Sequence, residues 1–159
     1  MRVTAAQVSA AQVAAVIAPG TTPTPEQTAV IEAPDVPSLV VAGAGSGKTQ
    51  TMSLRIVWLV ANELAAPEEI LGLTFTRKAA GELAERVRRQ LRRWWAHEGT
   101  VVTAAAGPTV ATYNSYAASV VADHALRIGH DPGARVLSEG SRWQLAHEVL
   151  AGFDFAQEA

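Results

Sequence analysis

Residues 38–51 read SLVVAGAGSGKTQT, and the fold turns on how they are read. The short valine-rich run at 38–42 has the length and composition of a buried strand. Glycines break it, and the segment from 49 to 64 then reads as a mostly apolar helix. A strand, the string A-G-A-G-S-G-K-T and a helix are together the setting of a phosphate-binding loop. In that setting Ala42, Gly43, Ala44, Gly45, Ser46 and Gly47 form the cradle. Its backbone N–H groups converge on an anion, helped by the positive end of the following helix. Lys48 places a point charge on the β- and γ-phosphates, and Thr49 offers its hydroxyl to Mg²⁺. The plainer alternative is a glycine turn between strand and helix.

Working outward, TPTPEQTAVIEAP precedes the loop. Thr24 can cap a helix, Pro25 suits its first position, and Gln27 stands three residues after the cap. Pro34 and Pro37 end that helix. Beyond the loop, EEILGLTF predicts a second buried strand. RKAAGELAERVRRQLRRWWAHEG predicts a long amphipathic helix, with Leu83, Val87, Leu91 and Trp94 on one stripe and Arg86, Arg89 and Arg93 on another side. PTVATY predicts a third strand after a small-residue loop, and NSYAASVVADHALRIG a helix closed by Gly129. A last helix is expected over about 138–151. Strands alternating with helices predict a parallel α/β sheet covered on both faces. Residues 5–17 predict a short alanine-rich helix, separated from the rest by a Pro-Gly-Thr-Pro linker.

The chain has 159 residues and no cysteine, so disulfides and thiolate metal sites are excluded. Its four histidines are scattered, with no pair at metal-binding helix spacing. No apolar run approaches the ~20 residues of a membrane span. The N-terminus carries Arg2 alone as a positive region, and polar residues interrupt its apolar run, so it is not expected to direct export. These features fit a cytoplasmic location. The formal net charge is −2, but the charge is uneven. Arg77, Lys78, Arg86, Arg88, Arg89, Arg92 and Arg93 supply seven of the thirteen basic residues, against Glu82 and Glu85 alone in the same stretch.

Taken in order, TPEQTAVIEAP, VVAGAGSGKTQT, LGLTFTRKAAGELAERV and TVATYNSYA resemble superfamily 1 DNA helicases of the UvrD/Rep/PcrA type. Within that group, GLTFTRKAAGEL and RVLSEGSRWQLA are similar to the actinobacterial AdnB-type subunit of a helicase-nuclease. The resemblance spans about residues 22–151. It implies a partial RecA-like domain over 22–130, preceded by a helix and linker over 1–21. Over 131–159 it implies the start of a helical accessory insertion. It implies ATP and Mg²⁺ as cofactors, single-stranded DNA as partner, a partner helicase-nuclease subunit, and 3′ to 5′ movement of the parent protein in repair or recombination.

The resemblance also assigns roles. Gln27 matches the glutamine that recognises adenine, while its local reading is the capping box with Thr24. Thr74, Phe75, Thr76, Arg77 and Lys78 match a segment that touches single-stranded DNA. There threonines donate to phosphates and Phe75 stacks on a base or packs in the core. Thr112, Tyr113, Asn114 and Ser115 match a second DNA-contacting motif. Asn114 replaces the usual histidine, and Gln50 stands where many relatives have arginine. The arginines from Arg86 to Arg93 read either as a DNA contact or as a solvated face.

Hydrolysis also needs an apolar strand ending in Asp-Glu. The sole adjacent acidic pair, Glu68-Glu69, precedes a strand instead, and Asp154 has no glutamate beside it. The expectation is the N-terminal fragment of a DNA motor, inactive alone. The rivals are a non-motor nucleotide-binding or interaction module, and another phosphate-loop enzyme such as a small kinase.

Overall fold

The computed structural model describes residues 7–100, 107–134 and 136–152. Predictions that fall on 5–6, on 101–106 of the small-residue loop, on Arg135 and on Asp154 lie outside the described residues. The elements run α1 (Ala10–Ile17), α2 (Pro25–Ile31), α3 (Lys48–Ala61), β1 (Leu71–Thr74), α4 (Arg77–His97), β2 (Thr109–Thr112), α5 (Tyr113–His124) and α6 (Glu139–Ala151). The chain forms two compact units, residues 1–116 and 117–159.

The sheet of the first unit is β1 beside β2, parallel, with Leu71 opposite Thr109 and Thr74 opposite Thr112. Parallel strands need a crossover, and α4 supplies it by packing on both strands. The predicted stripe of α4 faces inward: Leu83, Val87, Leu91 and Trp94 are all buried. Gly72 faces Val110 and Leu83, which a Cβ there would meet at ordinary contact distances of 3.5 Å and 3.7 Å.

The strand expected at 38–42 is absent. These residues carry no strand pairing, and Leu39 and Val41 are 90% and 88% exposed. A strand exists through a neighbour's hydrogen bonds, not through its own composition. Here β1 and β2 pair with each other, and neither flanks 38–42. Cover on both faces of the sheet is not seen either: among the described residues α4 is the helix that packs on it.

The N-terminal helix has a larger role than its composition suggests. Ser9 and Gln12 form a capping box that starts α1. Ala10, Val13, Ala14 and Ile17 are buried in the same core as α3 and α4. Neighbours fasten both ends of α1. Asn62 exchanges two hydrogen bonds with the Val8 backbone, Trp58 Nε1 donates to Val8 O, and Glu32 accepts from Ala10 N. At the other end Arg93 donates to Ile17 O at 2.9 Å.

In the second unit α5 tightens at its end into one 3₁₀ turn over residues 125–128. Gly129 then stops it at φ 71°, the left-handed region where glycine is favoured. Ser138 caps α6 at Ser141 N. Trp143 stays 74% exposed.

Candidate functional site

Gly47 turns the loop into α3 with φ 84°, and Gly45 holds φ 76°. Both lie in the left-handed region that a Cβ disfavours. No side chain caps α3, so its first-turn donors face the loop without a protein side-chain acceptor. Lys48 folds back over the loop and donates to Ala42 O at 3.0 Å and to Gly43 O at 2.6 Å. Both acceptors are neutral carbonyls on an exposed surface. The ammonium is therefore held over the loop but not neutralised.

Gln27 joins α2 to this loop. Its Oε1 accepts from Thr24 N at 3.0 Å, while Nε2 donates to Ser46 O at 3.1 Å. Thr24 Oγ1 accepts from Gln27 N, completing the capping box. The side chain that caps α2 thus also leans on the loop. A Cβ at Gly47 would come within 2.9 Å of Gln27 Nε2, so this amide would have to shift, and the φ of 84° itself favours glycine. Beside these residues lies a cleft of ≈450 Å³ whose lining includes Gln27, Val30, Ala42, Ser46, Lys48 and Met52. At its rim the Glu26 carboxyl is held below its ordinary range, first by the Thr24 hydroxyl and then by a backbone N–H.

Two side chains that shape this region escaped the sequence reading. Arg55 donates to the carbonyls of Val30, Ile31 and Ala33 at 2.9–3.0 Å, fixing the end of α2 against α3. Its position in an apolar helix gave no signal of that partner. Thr51 Oγ1 donates to Gly47 O at 3.2 Å, one turn on from the glycine, and that spacing could have indicated it.

A second cluster forms at the ends of β1 and β2. Phe75 is 90% exposed, so its core-packing alternative does not hold. Its ring lies 5.3 Å from that of half-exposed Tyr113, tilted by 36°. Parallel register brings the two rings together, because both strands end at the paired Thr74 and Thr112 and each ring follows one residue later. Thr76 Oγ1 accepts from Ala79 N and starts α4, while Thr74 Oγ1 donates to Thr76 O. Thr112 is buried and exchanges hydrogen bonds with Ser115 at the start of α5. Arg77, Lys78 and Asn114 are exposed, and Lys78 approaches Glu82 at 3.9 Å. The phosphate-loop candidates are thus together, as are the two DNA-contact candidates.

Residues 23–158 match the family model described as UvrD/REP helicase N-terminal domain. The chain belongs to this family. It is 31% identical over 128 residues to a "Probable DNA helicase II homolog" of Rickettsia conorii, covering 79% of this chain and 18% of that protein. It is 32% identical over 121 residues to the "DNA helicase II" of Haemophilus influenzae, covering 76% of this chain and 16% of that protein. A shorter match, 49% over 63 residues, is to the "ATP-dependent DNA helicase PcrA" of Bacillus subtilis, covering 40% of this chain and 8% of that protein. The chain therefore spans less than a fifth of the length of these UvrD/REP relatives. The UvrD/REP match covers both clusters, the glycine loop with Gln27 and the paired rings with Thr74 and Thr112. Among the described residues no helix is long and apolar enough to cross a membrane, and no group of side chains could hold a metal ion by itself.

Proposed function

We propose that the chain is the nucleotide- and DNA-contacting N-terminal part of an ATP-dependent DNA helicase of the RecA-like type. The parent protein would translocate 3′ to 5′ on single-stranded DNA and act in repair or recombination, in the manner of an AdnB-type subunit with a helicase-nuclease partner in the cytoplasm. On this reading residues 22–130 belong to the motor domain and 131–159 begin an accessory insertion. The observation that carries it is Gln27: one side chain caps α2 and leans on the glycine loop, aligning a base-recognising amide with a phosphate cradle.

ATP with Mg²⁺ would supply the phosphoanhydride whose cleavage drives such a motor. This chain's residues hold and orient it. Lys48 leaves its two neutral carbonyls for the β- and γ-phosphates, exchanging weak acceptors for charged oxygens. Backbone N–H groups of residues 43–49 line the anion, and Thr49 offers its hydroxyl to the cation. Gln27 would meet adenine's acceptor and donor with the second N–H of Nε2 and the second lone pair of Oε1, which its bonds to Ser46 O and Thr24 N leave over. Phe75 and Tyr113 offer a sequence-indifferent stacking surface to single-stranded DNA. Thr74, Thr76, Arg77, Lys78, Thr112, Asn114 and Ser115 flank it with phosphate donors.

The chain alone would not turn over ATP. Glu69 is engaged as a cap, accepting from Ala66 N at 2.8 Å ahead of β1, and no other adjacent acidic pair exists in the sequence. The decisive experiment is nucleotide binding and hydrolysis by this chain with and without single-stranded DNA, beside Lys48→Ala. Binding that drops at least roughly tenfold in Lys48→Ala, with no turnover in either protein, is expected from losing a charged contact. Equal affinity in the variant would overturn the cradle assignment. DNA-stimulated turnover that disappears in the variant would overturn the inactivity.

A further inference from the structure

A second cavity, ≈340 Å³, adjoins the end of α1, the first turn of α3 and the middle of α4. Its polar lining is Thr21, Gln50, Arg86, Arg89, Gln90 and Arg93, and it shares no lining residue with the cleft beside the glycine loop. The three arginines stand at i, i+3 and i+7, which places them on one face of α4. No carboxylate lines the cavity. The acids of α4 are spent elsewhere, Glu82 near Lys78 and Glu85 near Arg92.

The contacts that hold these arginines do not neutralise them. Arg86 Nη1 donates to the Gln50 amide oxygen and Arg93 Nη1 to the Ile17 carbonyl, each at 2.9 Å. Both bonds are part-buried, where bunched like charges repel more strongly than in water. Gln90 lines the same cavity at 4% exposure, and its Oε1 has no hydrogen-bond partner. A buried acceptor without a donor is costly. The site therefore gathers three guanidinium groups around a buried, unpartnered acceptor.

We propose that this cavity binds a phosphate group, apart from the nucleotide cradle. Guanidinium forks match phosphate oxygens in geometry and charge. A P–OH of free phosphate, or a water held by the anion, supplies the donor that Gln90 Oε1 lacks; a DNA phosphodiester, which has no such proton, supplies it through the water. Two sources share this chemistry, free phosphate and the backbone of single-stranded DNA.

The test uses the full chain carrying Lys48→Ala, so that the cradle cannot report. Arginine side-chain N–H signals are followed by NMR while orthophosphate, a thymidine oligonucleotide with a 5′-phosphate, or one without it is added at constant ionic strength. Among the described residues Arg89 makes no bond that holds the fold, so Arg89→Gln is the principal variant and Arg86→Gln the second. Saturable shifts of these signals, weakened at least roughly tenfold in Arg89→Gln, are expected from losing one charge-assisted contact. Shifts with orthophosphate assign free phosphate, and shifts with both oligonucleotides alone assign the backbone. Both results support the site. Equal shifts with chloride would mean an adventitious ion only and would overturn it. So would the absence of saturable shifts, or unchanged affinity in both variants. A failed cradle assignment leaves this result untouched, because Lys48 is already removed.

Discussion

At the scale of single residues, the exposure of Phe75 makes function separable from stability. A ring that is 90% exposed contributes little burial to the folded state. Its nearest aromatic partner, Tyr113, is itself half-exposed. Phe75→Ala should therefore leave the melting temperature nearly unchanged. It should weaken binding to a single-stranded oligonucleotide by about 1–3 kcal/mol, the usual worth of one base-aromatic stack. Fluorescence anisotropy beside a thermal melt distinguishes the two effects; a large drop in melting temperature with unchanged DNA affinity would make the ring structural. The sequence placed Phe75 at a strand end but left packing and stacking open, because a lone phenylalanine carries no mark of its surroundings. Gln27 held two readings in the same way, and the geometry keeps both in one side chain, Oε1 on the cap and Nε2 on the loop. Arg55 illustrates the opposite case. Its three carbonyl partners lie 22 to 25 residues away, a distance at which local pattern is silent.

Whole elements were legible where their pattern is local. The apolar stripe and the Thr76 cap set the face and start of α4, and every predicted stripe residue is buried. The predicted strand at 38–42 failed because a ladder depends on neighbours that composition does not reveal. The docking of α1 was equally hidden, since Asn62, Trp58, Glu32 and Arg93 reach it from distant segments. The end of α3 holds a testable strain. Leu64 N bonds to Leu59 O, and Glu63 N to Val60 O, the paired bonds of a Schellman ending. That motif puts Glu63 at φ 53°, the single non-glycine residue with positive φ among the described residues. A side chain there costs roughly 1–2 kcal/mol that glycine avoids. Part of that gain is offset by glycine's freer unfolded chain. Glu63→Gly should therefore raise stability by about 0.5–1 kcal/mol, read from the urea midpoint at unchanged slope. A lowered midpoint would mean that the Glu63 side chain makes a contact worth more than the strain.

For the molecule as a whole, the two compact units differ in what they bury. In residues 1–116 the core joins α1, α3 and α4, with Ile17, Leu54, Val57, Val87 and Leu91 all nearly inaccessible. In residues 117–159 Ala125 is the one buried apolar residue among those described, while Val136, Trp143, Leu145 and Leu150 are all exposed. Burial of apolar area is the main term that offsets conformational entropy. A unit that buries almost none cannot hold its helices firmly by itself. Amide hydrogen exchange should then split along the chain. Amides of α3 and α4 should exchange only through global opening, and those of α6 should approach unprotected rates despite their helical bonds. The measurement is mass spectrometry of peptic peptides after a timed series in deuterium. Protection of α6 equal to that of α4 would mean that its apolar residues are covered in solution, by a second copy or by another surface of the protein. Dilution separates these outcomes, because cover by a second copy weakens as concentration falls. The same exposed residues, with Leu39 and Val41 in the first unit, also make the chain prone to association. Protection that rises with concentration in both regions would therefore report contact between copies rather than an internal core.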